Sequence, residues 1–191
     1  MILNPPPSGG GEFTFRLAAI DPGVTGAIFF ADVDPVTRAM SRMSVHDMPV
    51  CDLLGPRPEC DEMKILEILR EEDPAIALIE HVNARSGRRG KGGAVSEFGL
   101  AKAFVAARSA VRFHFQQQGR ERSLALVAPT TWKKALALST DKKESLAMAR
   151  REFQPMAAAL RREKDKDRAE AMLLALYYTR HLMEMDGIDV I

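Results

Sequence analysis

Apolar and polar positions divide the chain into a first half of short runs and a second half of helical spacing. Leu17 to Ile20 is wholly apolar, meets Asp21, turns at Pro22-Gly23 and resumes at Gly26. This spacing predicts a buried strand over Phe13–Ile20, a tight turn and a second strand over Gly26–Val33. DVDPVTR turns the chain again into a third run near Met40–Met48, so the three strands should form an antiparallel meander. Residues 49–60 (PVCDLLGPRPEC) read as an irregular connection. Asp61 suits the N-cap of a helix that carries Met63, Leu66, Ile68 and Leu69 and ends before Pro74. AIALIE, closing on Glu80, has the continuous apolar character of a central strand buried on both faces.

Helical spacing takes over beyond Ala94. From there to Arg112 the chain carries two apolar stripes, Leu100/Phe104/Ala107/Val111 and Val95/Phe98/Ala101/Val105. One stripe can pack on a sheet; the other needs a neighbouring helix or a second copy of the chain. Gln116–Arg122 reads as a polar loop and Leu124–Ala128 as a short strand. Thr130 or Thr131 is placed to cap the brief helix WKKALAL, and Asp141 with Glu144 resembles a capping box for a helix to about Phe153. Pro155 opens a further helical piece. RREKDKDR then precedes a last long helix, Asp167 to about Met185. Residues 1–12, with PPPSGGG at their centre, have neither periodicity nor enough apolar surface to fold and read as a disordered extension. That leaves residues 13–191 as one domain.

Composition narrows the functional classes. At 191 residues and 46% hydrophobic content the chain can bury one sizeable core. The net charge of +1 gives no overall basicity, so binding of nucleic acid would need a local concentration of cations. No apolar run approaches the roughly 20 residues that span a bilayer, and the N-terminus lacks a signal-peptide pattern. The expectation is a soluble cytoplasmic chain. Cys51 and Cys60 lack zinc-site spacing and read as free thiols of a reducing compartment.

Local charge is where the sequence becomes informative. Ala84 to Gly93 (ARSGRRGKGG) sets Arg85, Arg88, Arg89 and Lys91 among four glycines. It reads either as a solvated loop or as an arm that neutralises phosphates close to Glu80. Asp21 either initiates its turn or offers a ligand at a strand end. Asp167 and Glu170, three residues apart on one helical face, either complement the helix dipole or point an acidic pair at the protein interior. Taken together the carboxylates say more. If the strands ending in Asp21 and Glu80 are adjacent and parallel, both acids reach one sheet edge, and the last helix can bring the other two across from them. Four such acids require cations between them. Oxygen ligands without His or Cys favour Mg²⁺ or Mn²⁺. Two such ions would serve in-line hydrolysis of a phosphodiester, with the basic loop, Lys133 and Lys134 gripping the flanking backbone.

These elements resemble a known family. IDPGVTG at the start, ALIEHV in the middle and DRAEAMLLALYY near the end, in the order hairpin strands, helix, strand, helix, strand and helices, are similar to the RuvC-type Holliday junction resolvases of the RNase H-like superfamily. The likeness is closest to their phage and prophage branch and covers about Phe13 to His181. It implies an α/β, RNase H-like fold: a five-stranded mixed sheet, antiparallel over the first three strands and parallel after, with helices on both faces. It matches Asp21 to the first-strand aspartate, Glu80 to the fourth-strand glutamate, and Asp167 with Glu170 to the closing acidic pair. Lys133 matches a basic residue near the scissile phosphate. The activity implied is that of a homodimeric, Mg²⁺-dependent endonuclease cutting four-way DNA junctions inside a bacterial cell, with the helix at 94–112 in the dimer interface.

The chain departs from that pattern in two places. Asn83 and the Gly/Arg loop stand where the bacterial enzyme carries an aromatic wedge, and Glu170 replaces an aspartate. Asp165 competes with Asp167 for the ligand role, but on a continuous helix it should face away. The rival functions are a nuclease of broader branched or single-stranded specificity and a non-catalytic junction-binding protein. An actin-like ATPase would need a duplicated domain, and a proofreading-type exonuclease would need Asp-x-Glu where this chain has Asp21-Pro22-Gly23.

Overall fold

The structure is a computed structural model and describes residues 14–52, 57–81, 93–120 and 123–183. The proposed N-terminal extension and the basic segment with Arg85, Arg88, Arg89 and Lys91 lie outside the described residues.

Three strands, β1 (Phe15–Asp21), β2 (Ala27–Val33) and β3 (Met40–Asp47), form the expected meander. A two-stranded ribbon, β4 (Val50–Cys51) with β5 (Glu59–Cys60), follows, so part of the 49–60 connection is regular structure. Its brevity leaves no alternation to read in the sequence. Helix α1 (Glu62–Glu72) begins at Asp61, whose carboxylate accepts from Lys64 N at 3.1 Å. It ends with Asp73 in the left-handed region at φ 43°, just before Pro74. Strand β6 (Ile76–Glu80), helix α2 (Gly93–Gln117) and strand β7 (Leu124–Val127) come next. Helices α3 (Pro129–Ala135), α4 (Lys142–Glu152) and α5 (Lys166–Tyr177) complete the set, with 3₁₀ turns at Gln154–Leu160 and Glu163–Asp165 and a wide π turn at Tyr178–Leu182.

The main sheet runs β3-β2-β1-β6-β7. The first three strands pair antiparallel, whereas β1/β6 and β6/β7 are parallel. This is the mixed five-stranded arrangement expected from the sequence, with helices on both faces. Alternation along the strands decides which side chain meets which layer. Ala18, Ile20, Ala77 and Ile79 pack towards α1 and α2 with Ile65, Leu69, Ala107, Val111 and Phe115. Leu17, Ala19, Ile76 and Leu78 pack towards α3, α4 and α5. Asp21 and Glu80 continue this second set by parity, so both carboxylates project to the face that α5 covers.

Several local expectations change. Helix α2 extends five residues beyond Arg112, because Phe115 and His114 are buried against the sheet side and hold the last turns. Ala128, not Thr130 or Thr131, is the N-cap of α3; Pro129 occupies the first helical position, where its fixed φ and missing N–H cost nothing. Asp141 does cap α4, accepting from Lys143 N at 2.9 Å. Glu144 does not close a capping box, because it accepts from Ser139 N at 3.0 Å instead.

At the N-terminal end of β1, Arg16 is buried in a satisfied polar network. It donates to Glu72 at 3.0 Å, to Asp32 at 3.2 Å, to the Arg42 carbonyl at 2.5 Å and to Ser44 at 3.1 Å. Ser44 also donates to Glu72 at 2.7 Å, with His46 Nε2 3.2 Å from the same carboxylate. One side chain thus ties β1 to β2, β3 and the end of α1.

Candidate metal centre

Asp21 sits where β1 becomes the turn to β2. The turn is tight: Gly26 N donates to Gly23 O at 2.9 Å, and a Cβ on Gly26 would fall 2.0 Å from the Asp21 carbonyl oxygen. Glycine is required there by close approach of the backbone. Met48 N donates to Gly26 O at 2.9 Å, fixing the turn to the chain leaving β3.

Asp167 and Glu170 arrive on α5. From Ala169 to Tyr177 every residue of this helix is buried, and side chains such as Met172, Leu173 and Leu174 contribute about 1.5–3 kcal/mol each. That burial offsets the cost of carrying two acids inward. The first turn is pinned by Arg168, which forms a bidentate pair with Asp47 at the end of β3, 2.6 Å to each oxygen. Arg168 also donates to the Ala159 carbonyl at 3.2 Å.

Asp21, Asp167 and Glu170 each offer an oxygen within 4.8 Å of the others, and all three residues are buried. Glu80 is outside this group: its Oε2 accepts from the indole N–H of Trp132 at 2.9 Å. Asp165 is also apart from it, though not by facing away on a continuous helix. It belongs to the preceding 3₁₀ turn, where it accepts from Arg162 N at 2.7 Å and from the Arg162 guanidinium at 2.8 and 3.0 Å. Those bonds hold its carboxyl below the usual range against the opposing effect of burial.

Two lysines meet the acids. Lys133 Nζ lies 2.5 Å from Glu170 Oε1, which also accepts from Ser145 Oγ at 3.3 Å. Lys142, the first residue of α4, is the functional group that the sequence did not disclose. Its Nζ is 2.6 Å from Glu170 Oε2, 2.7 Å from Asp167 Oδ1 and 3.7 Å from Asp21 Oδ2. No spacing rule links it to those acids; only its place just after the Asp141 cap, at a helix start aimed at α5, could have drawn attention. Lys134 is exposed and forms no ion pair among the described residues.

The electrostatics are those of an acid cluster short of positive charge. Burial raises the Asp21 carboxyl well above its ordinary range; Lys142 opposes this, and Glu80, Glu170 and Asp167 add to it. Glu80 is raised too, by burial and then by Glu170, against the Trp132 hydrogen bond and the two lysines. Burial alone would lower the Lys142 ammonium, but the carboxylates of Asp21 and Glu170 and hydrogen bonds to Asp167 and Glu170 raise it. The donor set fits a hard divalent cation. It is made of carboxylate oxygens alone, three converge, and the Lys142 ammonium already stands in for a positive charge among them.

Neither a family model nor a curated protein matches the chain. Among solved structures it is similar to RuvC of Thermus thermophilus in complex with a Holliday junction substrate, at 18% identity and a TM-score of 0.47, over 87% of this chain and 95% of that one. A second Thermus thermophilus RuvC structure is similar at 18% identity and a TM-score of 0.48, over 88% and 97% of the two chains.

Proposed function

We propose that the chain is a divalent-metal-dependent endonuclease of RuvC type that hydrolyses phosphodiesters in branched DNA, four-way junctions above all. The observation that carries the reading is the convergence of Asp21, Asp167 and Glu170 within 4.8 Å at the carboxyl edge of a mixed sheet, with Lys133 and Lys142 against them. A solubility patch would not bury three acids. Asp21, Asp167 and Glu170 would hold the cation, with Glu80 adding a fourth carboxylate at the rim. Bound Mg²⁺ or Mn²⁺ supplies Lewis acidity towards the phosphoryl oxygens and the attacking water. Water adds to phosphorus, the P–O bond to the departing sugar oxygen breaks, and one strand end keeps the phosphate while the other gains a hydroxyl. Lys133 and Lys142 supply positive charge to the scissile phosphate as it enters, and the segment with Arg85, Arg88, Arg89 and Lys91 engages the flanking backbone.

A homodimer is part of the same reading. Phe98, Ala101 and Val105 are exposed along one side of α2, with Phe98 at 66% and Val105 at 57%. A second copy presenting the same stripe would cover them. The test is cleavage of labelled four-way junctions of varied core sequence against linear duplex and single strands, with Mg²⁺ and with chelator, for wild type and Asp21→Asn. Paired metal-dependent cuts that Asp21→Asn abolishes while binding survives support the resolvase. Equal cutting of all substrates points to a nuclease of broader specificity, and tight binding without cutting removes the enzyme altogether.

A further inference from the structure

Trp132 is the single tryptophan of the chain, and the structure spends it in an unusual place. It is fully buried in α3, yet its indole N–H reaches Glu80 Oε2 at 2.9 Å. The chain arrives there under tight constraint. Glu80 is paired with Val127 in the β6/β7 ladder, His81 N donates to Val127 O at 2.8 Å, and α3 starts two residues later behind Pro129. The next residue, Lys133, lies over the same indole at 5.1 Å from its centroid while contacting Glu170. One ring therefore touches both the carboxylate that stands outside the converged group and the lysine that holds a member of it.

We infer that Trp132 is a positioning residue for Glu80: its N–H engages one carboxylate oxygen and thereby presents the other, in a fixed orientation, to a divalent cation at the Asp21/Asp167/Glu170 group. This rests on the reading of that group as a metal centre and says which residue sets its fourth ligand. An unconstrained glutamate would pay the entropy of ordering its side chain each time a cation bound. An indole donor removes that cost and, unlike a lysine, adds no charge to compete with the cation. Hydrogen-bonded partners of ligating carboxylates commonly govern metal affinity by about 10–100-fold.

The test needs no DNA. Mn²⁺ is titrated into the full chain by calorimetry, with Trp132 emission as a second signal, since a paramagnetic ion quenches a nearby indole. Wild type should bind with saturable quenching. Trp132→Phe keeps an aromatic ring and removes the donor; placing benzothienylalanine at the same position keeps the full shape and replaces only the N–H, so it remains informative if the phenylalanine variant melts early. Both should bind Mn²⁺ at least 10-fold more weakly while retaining the wild-type circular dichroism. In a Glu80→Ala background the same changes at position 132 should alter affinity less than 2-fold, because the group being positioned is gone. Glu80→Ala should also shift the Trp132 emission maximum with no metal present. Equal affinity in the donorless variants overturns the inference and leaves the metal centre standing. An equal loss in the Glu80→Ala background does the same, assigning Trp132 to packing. Failure of the wild type to bind Mn²⁺ removes the metal centre and the inference with it.

Discussion

Lys142→Met tests how far one ammonium holds the acid cluster together before any cation arrives. The side chain contacts Glu170 and Asp167 at 2.6 and 2.7 Å and Asp21 at 3.7 Å, and its removal leaves Lys133, on Glu170 alone, as the remaining cationic partner of the group among the described residues. Stripping one partner from a buried ion pair costs about 3–5 kcal/mol. Lys142 is 39% exposed, and Asp21 can take up a proton, so solvent screening and protonation reduce the loss to about 2–3 kcal/mol. With about 2–4 °C per kcal/mol for a chain of this size, the metal-free variant should melt about 4–12 °C below wild type at pH 7. The sign of the pH dependence follows from Asp21. Its folded-state pKa is raised, so the protonated form favours folding, and that contribution is lost as pH rises through the folded value. Without Lys142 the rise is larger, and the deficit should shrink as pH falls towards the ordinary carboxylate range. Saturating Mg²⁺ should narrow it as well, since in wild type the cation competes with the Lys142 ammonium and so binds the variant more tightly, each tenfold difference in Kd giving the variant about 1.4 kcal/mol more. Thermal melts in chelator at pH 7 and pH 5, then in Mg²⁺, measure all three effects. A variant that melts within 1 °C of wild type in chelator, or one whose deficit grows on acidification, would refute the account of Lys142 as the internal counter-ion.

Asp21→Asn removes a carboxylate that burial makes costly to ionise, so the metal-free variant should be more stable than wild type by about 0.5–2 kcal/mol while cleavage disappears; urea melts beside a junction-cutting assay decide it. His114 is fully buried, its Nε2 makes no hydrogen bond among the described residues and lies 3.8 Å from Asp73 Oδ1, and burial, opposed by that carboxylate, holds its pKa below the ordinary value. The unfolded chain therefore binds the proton more readily, and stability should fall as pH drops through the ordinary histidine range. Urea midpoints between pH 7.5 and 5.5 should show that slope in wild type and lose it in His114→Leu. On α2, Phe98→Asp with Val105→Asp introduces charge on the exposed stripe and should convert a dimer to monomers without lowering the melting temperature of the monomer, read by sedimentation velocity.

The sheet was legible because alternation and turn chemistry are local. Asp21-Pro22-Gly23 marks a strand end, AIALIE marks a central strand, and their parity alone sends Asp21 and Glu80 to one face. Asp61 was readable as a cap for the same reason. What escaped depends on contacts across the chain. Lys142 meets Asp167 and Glu170 from 25 and 28 positions away, and no spacing predicts that the start of one helix will lie against the start of another. The indole bond from Trp132 to Glu80 spans 52 positions and is equally silent. Thr130 and Thr131 have the cap chemistry, but Pro129 starts the helix ahead of both and leaves Ala128 as the cap. Glu144 has the spacing of a capping box, yet Ser139 offers its N–H within reach first. Asp165 stays out of the cluster because it lies in a 3₁₀ turn ahead of α5, where Arg162 holds its carboxylate.

Strand β1 carries opposite electrostatic situations at its two ends, and hydrogen exchange should read the difference. At Arg16 every donor of the guanidinium finds an acceptor across β2, β3 and α1, so opening that end breaks many charge-assisted bonds at once. At Asp21 burial raises the pKa of the carboxyl, Lys142 at 3.7 Å opposes that and three neighbouring acids add to it, so opening relieves desolvation and repulsion at the loss of one ammonium contact. The amides around Gly26 and Ile20 should therefore exchange through small local openings in chelator, while those around Arg16 exchange only with the whole sheet. A divalent cation would make the two ends alike, so the strand would report occupancy of the centre as a loss of its own polarity.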